Sequence, residues 1–138
     1  MSFLSRWRQA KEEQERRERE LLAHPCLKDS NGIASPIYCY CPDDFTVCLS
    51  VQDMEFEIEP NDVDEPYEIF DAIGKVMRAK LDSKGYVKII LDEQKPANPG
   101  RLEEIIRGVA RSWKNQELPE PLSLEDLNYY ILVNKIGR

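Results

Sequence analysis

Ile37-Tyr38-Cys39-Tyr40-Cys41-Pro42-Asp43-Asp44-Phe45-Thr46-Val47-Cys48-Leu49-Ser50-Val51 is the stretch on which the fold turns. Two runs of β-forming residues flank a turn-forming triplet, Pro42-Asp43-Asp44, so the stretch reads as a hairpin. Phe45, Val47, Leu49 and Val51 alternate with polar or small residues, the period of a half-buried strand. The alternation resumes with Met54, Phe56 and Ile58 set among Asp53, Glu55, Glu57 and Glu59, but the apolar parity changes near Gln52. One continuous strand would send the two apolar sets to opposite faces. A turn or bulge is therefore expected at Gln52, with a third strand beyond it.

The hairpin also predicts where the cysteines lie. Pairing Pro42 with Phe45 sets Cys39 opposite Cys48 and Cys41 opposite Thr46. Cys39, Cys41 and Cys48 then share the face away from Tyr38, Tyr40, Val47 and Leu49. On the N-terminal side, residues 28–35 are turn-rich, with Asn31-Gly32 the strongest signal. Before them, residues 2–23 lack Gly and Pro and are rich in helix formers. Glu12 with Arg16, Glu13 with Arg17 and Glu15 with Arg19 are pairs in the favourable order on a helix. His24-Pro25 stops that helix. Its middle, residues 11–20, is wholly polar, so it predicts a solvated arm rather than a core element.

On the C-terminal side, Asp64 with Glu65 and Pro66 reads as a helix start. Tyr67, Phe70, Ile73, Met77 and Leu81 recur at three and four, predicting a helix to about Leu81. Tyr86–Leu91 predicts a strand, apolar on both faces and so central in the sheet. Leu102, Ile105, Ile106, Val109 and Trp113 form the stripe of a helix over 101–116. Ser123-Leu124-Glu125-Asp126 opens a last helix, to Gly137, in which Tyr129–Val133 would also suit a strand. The expected architecture is α+β: a small, mostly antiparallel sheet of about four strands, covered on one side by three helices, with a protruding charged N-terminal helix. The arm is 1–24 and the single α+β domain 25–138.

The chain has 138 residues, 41% hydrophobic and 33% charged, which is enough apolar material for one packed core. No apolar run approaches the length of a membrane span, and the first residues carry no apolar signal region. The four cysteines are too few for a disulfide scaffold. A cytoplasmic protein with reduced thiols and no membrane attachment is the expectation. The net charge of -7 is unevenly spread. Residues 42–71 contain Asp43, Asp44, Asp53, Glu55, Glu57, Glu59, Asp62, Asp64, Glu65, Glu68 and Asp71 and no Lys or Arg. Such a block attracts a basic partner and repels phosphate.

Asp53, Glu55, Glu57 and Glu59 are the leading site candidates. On a strand they form a carboxylate ladder on one face, about 6.6 Å apart, similar to successive phosphates of a nucleic-acid strand. The bland alternative is a solvated strand whose acids keep an edge from aggregating. Phe3, Leu4 and Trp7 are the second candidate, an apolar anchor on the arm containing a residue type favoured at interface hot spots. Their plain alternative is packing on the parent domain. Cys26, Cys39, Cys41 and Cys48 could supply zinc ligands, with His24 nearby, but the spacing lacks the usual knuckle. Cysteines as small apolar residues under a helix is the reading preferred, with no cofactor. His24 reads as a helix cap, and Trp113, Tyr129 and Tyr130 as core aromatics. The arm's arginines alternate with acids, so direct nucleic-acid binding is not expected. No phosphate-loop, dinucleotide, zinc-protease or nucleophile-elbow motif is present in the sequence.

The expected function is that of a non-enzymatic protein-binding module, of inhibitor, immunity-type or assembly-adaptor kind. It would offer an acidic face to a basic protein, as a nucleic-acid mimic in its sharpest form, with self-association through the N- or C-terminal helix as a further mode. The alternatives are a zinc module built on the four cysteines and an enzyme using surface carboxylates.

Overall fold

The computed structural model describes residues 2–138; Met1, the first residue of the expected arm, lies outside them. In chain order the elements are α1 (Phe3–Ala23), β1 (Ile37–Cys41), β2 (Asp44–Cys48), α2 (Val51–Glu57), a short 3₁₀ turn (Pro60–Asp62), β3 (Glu68–Phe70), β4 (Val76–Leu81), β5 (Val87–Leu91), α3 (Pro99–Lys114) and α4 (Leu124–Val133). The strands form one antiparallel sheet in the order β2-β1-β3-β4-β5. The class is α+β with an N-terminal helix, as the sequence predicts, but the sheet has five strands rather than about four.

The helices cover both faces of the sheet, not one. α3 and α4 pack on Tyr38, Phe45, Val47 and Phe70, and this core takes in Leu102, Ile106, Leu127 and Ile131. α2 packs on the other face, where Ile37, Cys39, Cys48, Ile69, Met77, Val87 and Ile89 surround Met54 and Ile58. The segment expected as a third strand is thus the helix α2. Ser50 caps it, its Oγ accepting the Asp53 N–H at 3.1 Å. The parity change at Gln52 marks the passage from a two-residue to a 3.6-residue period. Met54 and Ile58, four apart, go inward together, while Phe56 is 81% exposed.

The helix expected over 64–81 is instead β3, a turn and β4. Ile69 pairs with Met77 and faces α2; Phe70 pairs with Val76 and faces α3 and α4. β3, buried on both faces, has no alternation to read, and in β4 the accidental spacing of three and four outweighed the alternation of Met77, Arg78, Ala79 and Lys80. β5 also sits elsewhere than expected, at an edge of the sheet rather than its centre.

Both sheet edges are engaged by the chain itself. On β5 the Ile89 N–H donates to Glu55 Oε2 at 2.8 Å. On β2 the Val47 N–H donates to the Gly137 carbonyl at 2.9 Å. Such contacts occupy backbone groups that would otherwise pair with another chain. Gly137 adopts φ 76, and a Cβ there would lie 2.9 Å from the Phe45 carbonyl oxygen, so only glycine closes this edge. α3 is capped by the Asn98 side chain and ends at Asn115 in the left-handed conformation. α4 carries the full reciprocal box between Ser123 and Asp126.

α1 leaves the body. Residues 2–16 are exposed, roughly 20 Å of helix at 1.5 Å per residue. Only its last turns dock: Leu21 is buried with Leu49 and Leu132, Arg17 meets Ser50 and Asp53, and Glu18 meets Arg138 at 3.1 Å.

Candidate functional site

The carboxylate ladder does not form. On α2, residues two apart lie roughly 200° around the helix axis. Asp53 pairs with Arg17 at 3.5 Å. Glu55 turns to the edge of β5. Glu57 and Glu59 are exposed, with Glu59 opening the 3₁₀ turn. The phosphate-like spacing therefore has no counterpart in the molecule.

Two further members of the acidic block are spent internally. Asp71 is fully buried and accepts three backbone N–H groups. Glu68 forms a two-pronged pair with Arg101, both contacts at 2.8 Å. The Arg101 hydrogen bonds hold the Glu68 carboxyl below its ordinary value. A lowered folded pKa contributes stability above the ordinary carboxylate range, and that contribution disappears as pH falls through the lowered value. Arg101→Met is thus expected to cost more at pH 7 than at pH 3. The difference should be under about 1 kcal/mol because the pair is partly exposed. Urea titrations of both proteins across that range check this.

What remains is an acidic end rather than an acidic face. The tight turn between β1 and β2 holds Asp43, and Asp44 pairs with Cys41. That register is shifted by two from the expected one, because only Pro42 and Asp43 lie between the strands. Tyr40 pairs with Glu68, so the chain arriving at β3 passes beside this turn. It brings Asp62, Asp64 and Glu65. The hydroxyl of Tyr67 is pushed up by desolvation first, then by the fields of Asp62, Cys39, Cys41 and Glu65. Asp43, Asp44, Asp62, Asp64 and Glu65 form no ion pair among the described residues.

The arm's apolar group is exposed. Phe3 is 77%, Leu4 67% and Trp7 56% exposed, with Lys11 Nζ over the Trp7 ring at 5.2 Å. None of the three packs on the parent domain. Trp113 and Tyr129, expected in the core, are half-exposed; Trp113 meets Phe45 edge-on with centroids 6.0 Å apart.

The cysteines do not converge. The shift of register keeps Cys39, Cys41 and Cys48 on one face, but sets Cys39 opposite Thr46 and Cys48 opposite Ile37. Cys39 and Cys48 are buried in the core under α2. Burial is the main cause pushing both thiols up to about 12, so neither is a ready thiolate ligand. Cys26 lies elsewhere, its Sγ 3.4 Å from Asn128 Nδ2 on α4. Among the described residues no group of three or more His, Cys, Asp or Glu side chains is arranged to hold a metal. His24 ends α1, its N–H donating to the Glu20 carbonyl.

A cleft of about 910 Å³ lies beside β5 and is lined by Ile33, Met77 and Ile89 with Asp29, Arg78, Asp92 and Glu93. Asp29 accepts the Asn31 and Ile33 N–H groups and Asp92 the Gln94 N–H, so both act as turn caps. No nucleophile and base stand together there. Among the described residues no helix is long and apolar enough to cross a membrane. Compared with protein-family models, curated proteins and solved structures, the chain matches none of them.

Proposed function

We propose that the chain is a non-enzymatic protein-binding module, of inhibitor, immunity-type or adaptor kind, that engages a partner with a basic surface. The observation carrying this reading is the acidic end: Asp43, Asp44, Asp62, Asp64 and Glu65 lie toward one end of the sheet and form no ion pair among the described residues. Like charges held together raise the local potential and speed the approach of an oppositely charged protein. The arm adds a second contact. Phe3, Leu4 and Trp7 project at its tip, and a solvated stretch of about four turns is marginally stable alone, so binding would order it. The same apolar tip is the element through which two copies would associate. A cytoplasmic setting, with its thiols reduced, belongs to this reading.

The experiment is affinity purification with the full chain, followed by titration of the recovered partner. Converting the five acids to Asn or Gln should lower affinity at least tenfold and flatten its dependence on salt. Trp7→Ala should lower it roughly thirtyfold if the tip is a hot spot, mainly through faster dissociation. A partner whose affinity is unchanged by both changes sinks the proposal.

A further inference from the structure

The sheet is covered unevenly. On the side of α3 and α4 the core takes Tyr38, Phe45, Val47 and Phe70, reaches Val76 at the start of β4, and takes nothing from β5. Beyond Val76 that side carries Arg78 and Lys80 on β4, with Ile90 and Lys88 opposite them on β5. Arg78, Lys80 and Lys88 are exposed. Their strand neighbours Met77, Ala79, Val87 and Ile89 point into the core beneath α2, which fixes the cations on the open side. Lys80 and Lys88 stand directly opposite each other, a like-charge pairing that opposes strand association.

Acids stand near this row without forming an ion pair with it. Arg78, Lys80, Lys88 and Lys95 form no ion pair among the described residues. Asp82 feels Lys88 but spends its Oδ1 on the Lys84 and Tyr86 N–H groups. Glu68 is held by Arg101. Arg78 and Lys95 line a groove of about 290 Å³ at the start of α3, together with Glu65, Glu68 and Asp92. Lys88, Lys80, Arg78 and Lys95 thus make a track from β5 across β4 to α3.

We propose that this uncovered half of the sheet binds the phosphate backbone of a single-stranded nucleic acid. Three features favour that occupant. Alternate strand positions space Arg78 and Lys80 about 6.6 Å apart, comparable to successive phosphates of an extended strand. The open surface is two strands wide, roughly 10 Å, and bounded by α3 on one side, which suits one strand and not a duplex. Ile90 beside the track, and Tyr86, 64% exposed at the start of β5, offer surfaces for bases. The acidic end lies at the same end of the sheet, and its Glu65 lines the groove that holds Arg78, so neutralising those acids should strengthen this binding.

Fluorescence anisotropy with labelled 12-mers of dT and rU, at 50 mM salt, tests the proposal. Binding in the micromolar range is expected, falling steeply with salt. The triple variant Arg78→Glu, Lys80→Glu, Lys88→Glu should bind at least tenfold more weakly. The corresponding Gln variant should flatten the slope of log K against log salt by about 2, from three lost phosphate contacts at about 0.7 each. All three positions are exposed, and urea unfolding of both variants reports their folding. Absence of binding at 50 mM salt, or a folded triple variant within twofold of the parent, overturns the proposal. So does tighter binding of a 12-bp duplex or of polyglutamate than of the single strands. Neutralising the five residues of the acidic end should not weaken this binding, which separates it from the protein-binding reading.

Discussion

Asp71→Ala is expected to lose about 3–5 kcal/mol of folding stability, a large share of the roughly 5–15 kcal/mol of a typical domain. Asp71 is fully buried and stands between β3 and β4. Its Oδ1 accepts the N–H groups of Ile73 at 3.1 Å and Lys75 at 2.9 Å, and its Oδ2 accepts that of Ala34 at 3.1 Å. Two of these bonds shape the turn; the third ties the segment before β1 to the centre of the sheet. Truncation strands three donors, and Ala34 is itself fully buried, so water cannot replace the lost acceptor there. Charge-assisted bonds contribute about 1.5–3 kcal/mol each, but bonds sharing one side chain do not add fully, hence the range.

Asp71→Asn separates the two jobs. The amide oxygen can still serve Ile73 and Lys75, while the amide nitrogen would face the Ala34 N–H, donor against donor. Roughly half the Ala penalty is expected from it, with hydrogen-exchange protection lost at Ala34 and kept at Lys75. Equal protection at both amides would contradict this division. The same turn has a steric constraint that neither variant relieves. Gly74 sits at φ 88, and a Cβ there would come 2.6 Å from Pro99 Cα, where α3 begins. The Asn98 N–H also donates to the Gly74 carbonyl at 2.8 Å, so one turn positions both the sheet centre and α3.

This turn explains why the middle of the chain was the part least legible from sequence. Asp71, Gly74 and Lys75 act through contacts distant in sequence, and a period of three and four is what local reading picks up. The hairpin, the strand at Val87–Leu91, the stripe of α3 and the box at Ser123 were legible because each rests on neighbours within four residues. The face shared by Cys39, Cys41 and Cys48 also survived the register error, since a shift of two preserves facing. Ser50-Val51-Gln52-Asp53 carried a cap signal for α2 that the Met54-Phe56-Ile58 alternation outweighed. The site followed the same logic. Asp53, Glu55 and Glu57 make a ladder only on a strand, and Arg78 and Lys80 make a track only on a strand. Exchanging helix and strand at these two places dissolved one candidate surface and revealed another.

Asn128→Asp is expected to be the most pH-sensitive change in the protein. Asn128 is fully buried on α4. Its Oδ1 accepts the hydroxyl of Tyr38, which is also fully buried, and its Nδ2 donates to the carbonyls of Ala72 and Leu124, both at 2.8 Å. One amide thus joins β1, the β3–β4 turn and the first turn of α4. Asn128→Ala leaves the Tyr38 hydroxyl without an acceptor and opens a small cavity, a loss of about 2–4 kcal/mol. An aspartate has nearly the same shape, but its second oxygen would face two carbonyls, with only the weak S–H donor of Cys26 beside it. Only its protonated form can donate to one of them. Burial and these carbonyls raise its folded pKa above the ordinary 3.9 or so of the unfolded chain. The penalty relative to the parent is therefore smallest below the unfolded value. It grows by about 1.4 kcal/mol per pH unit until pH reaches the raised folded pKa. Between pH 5 and pH 7 the gap between variant and parent should widen by up to roughly 2.7 kcal/mol, measured as the separation of their urea midpoints. A gap constant across that interval would mean that the carboxylate finds water or a cation, and that the amide is not the closed junction seen in the structure.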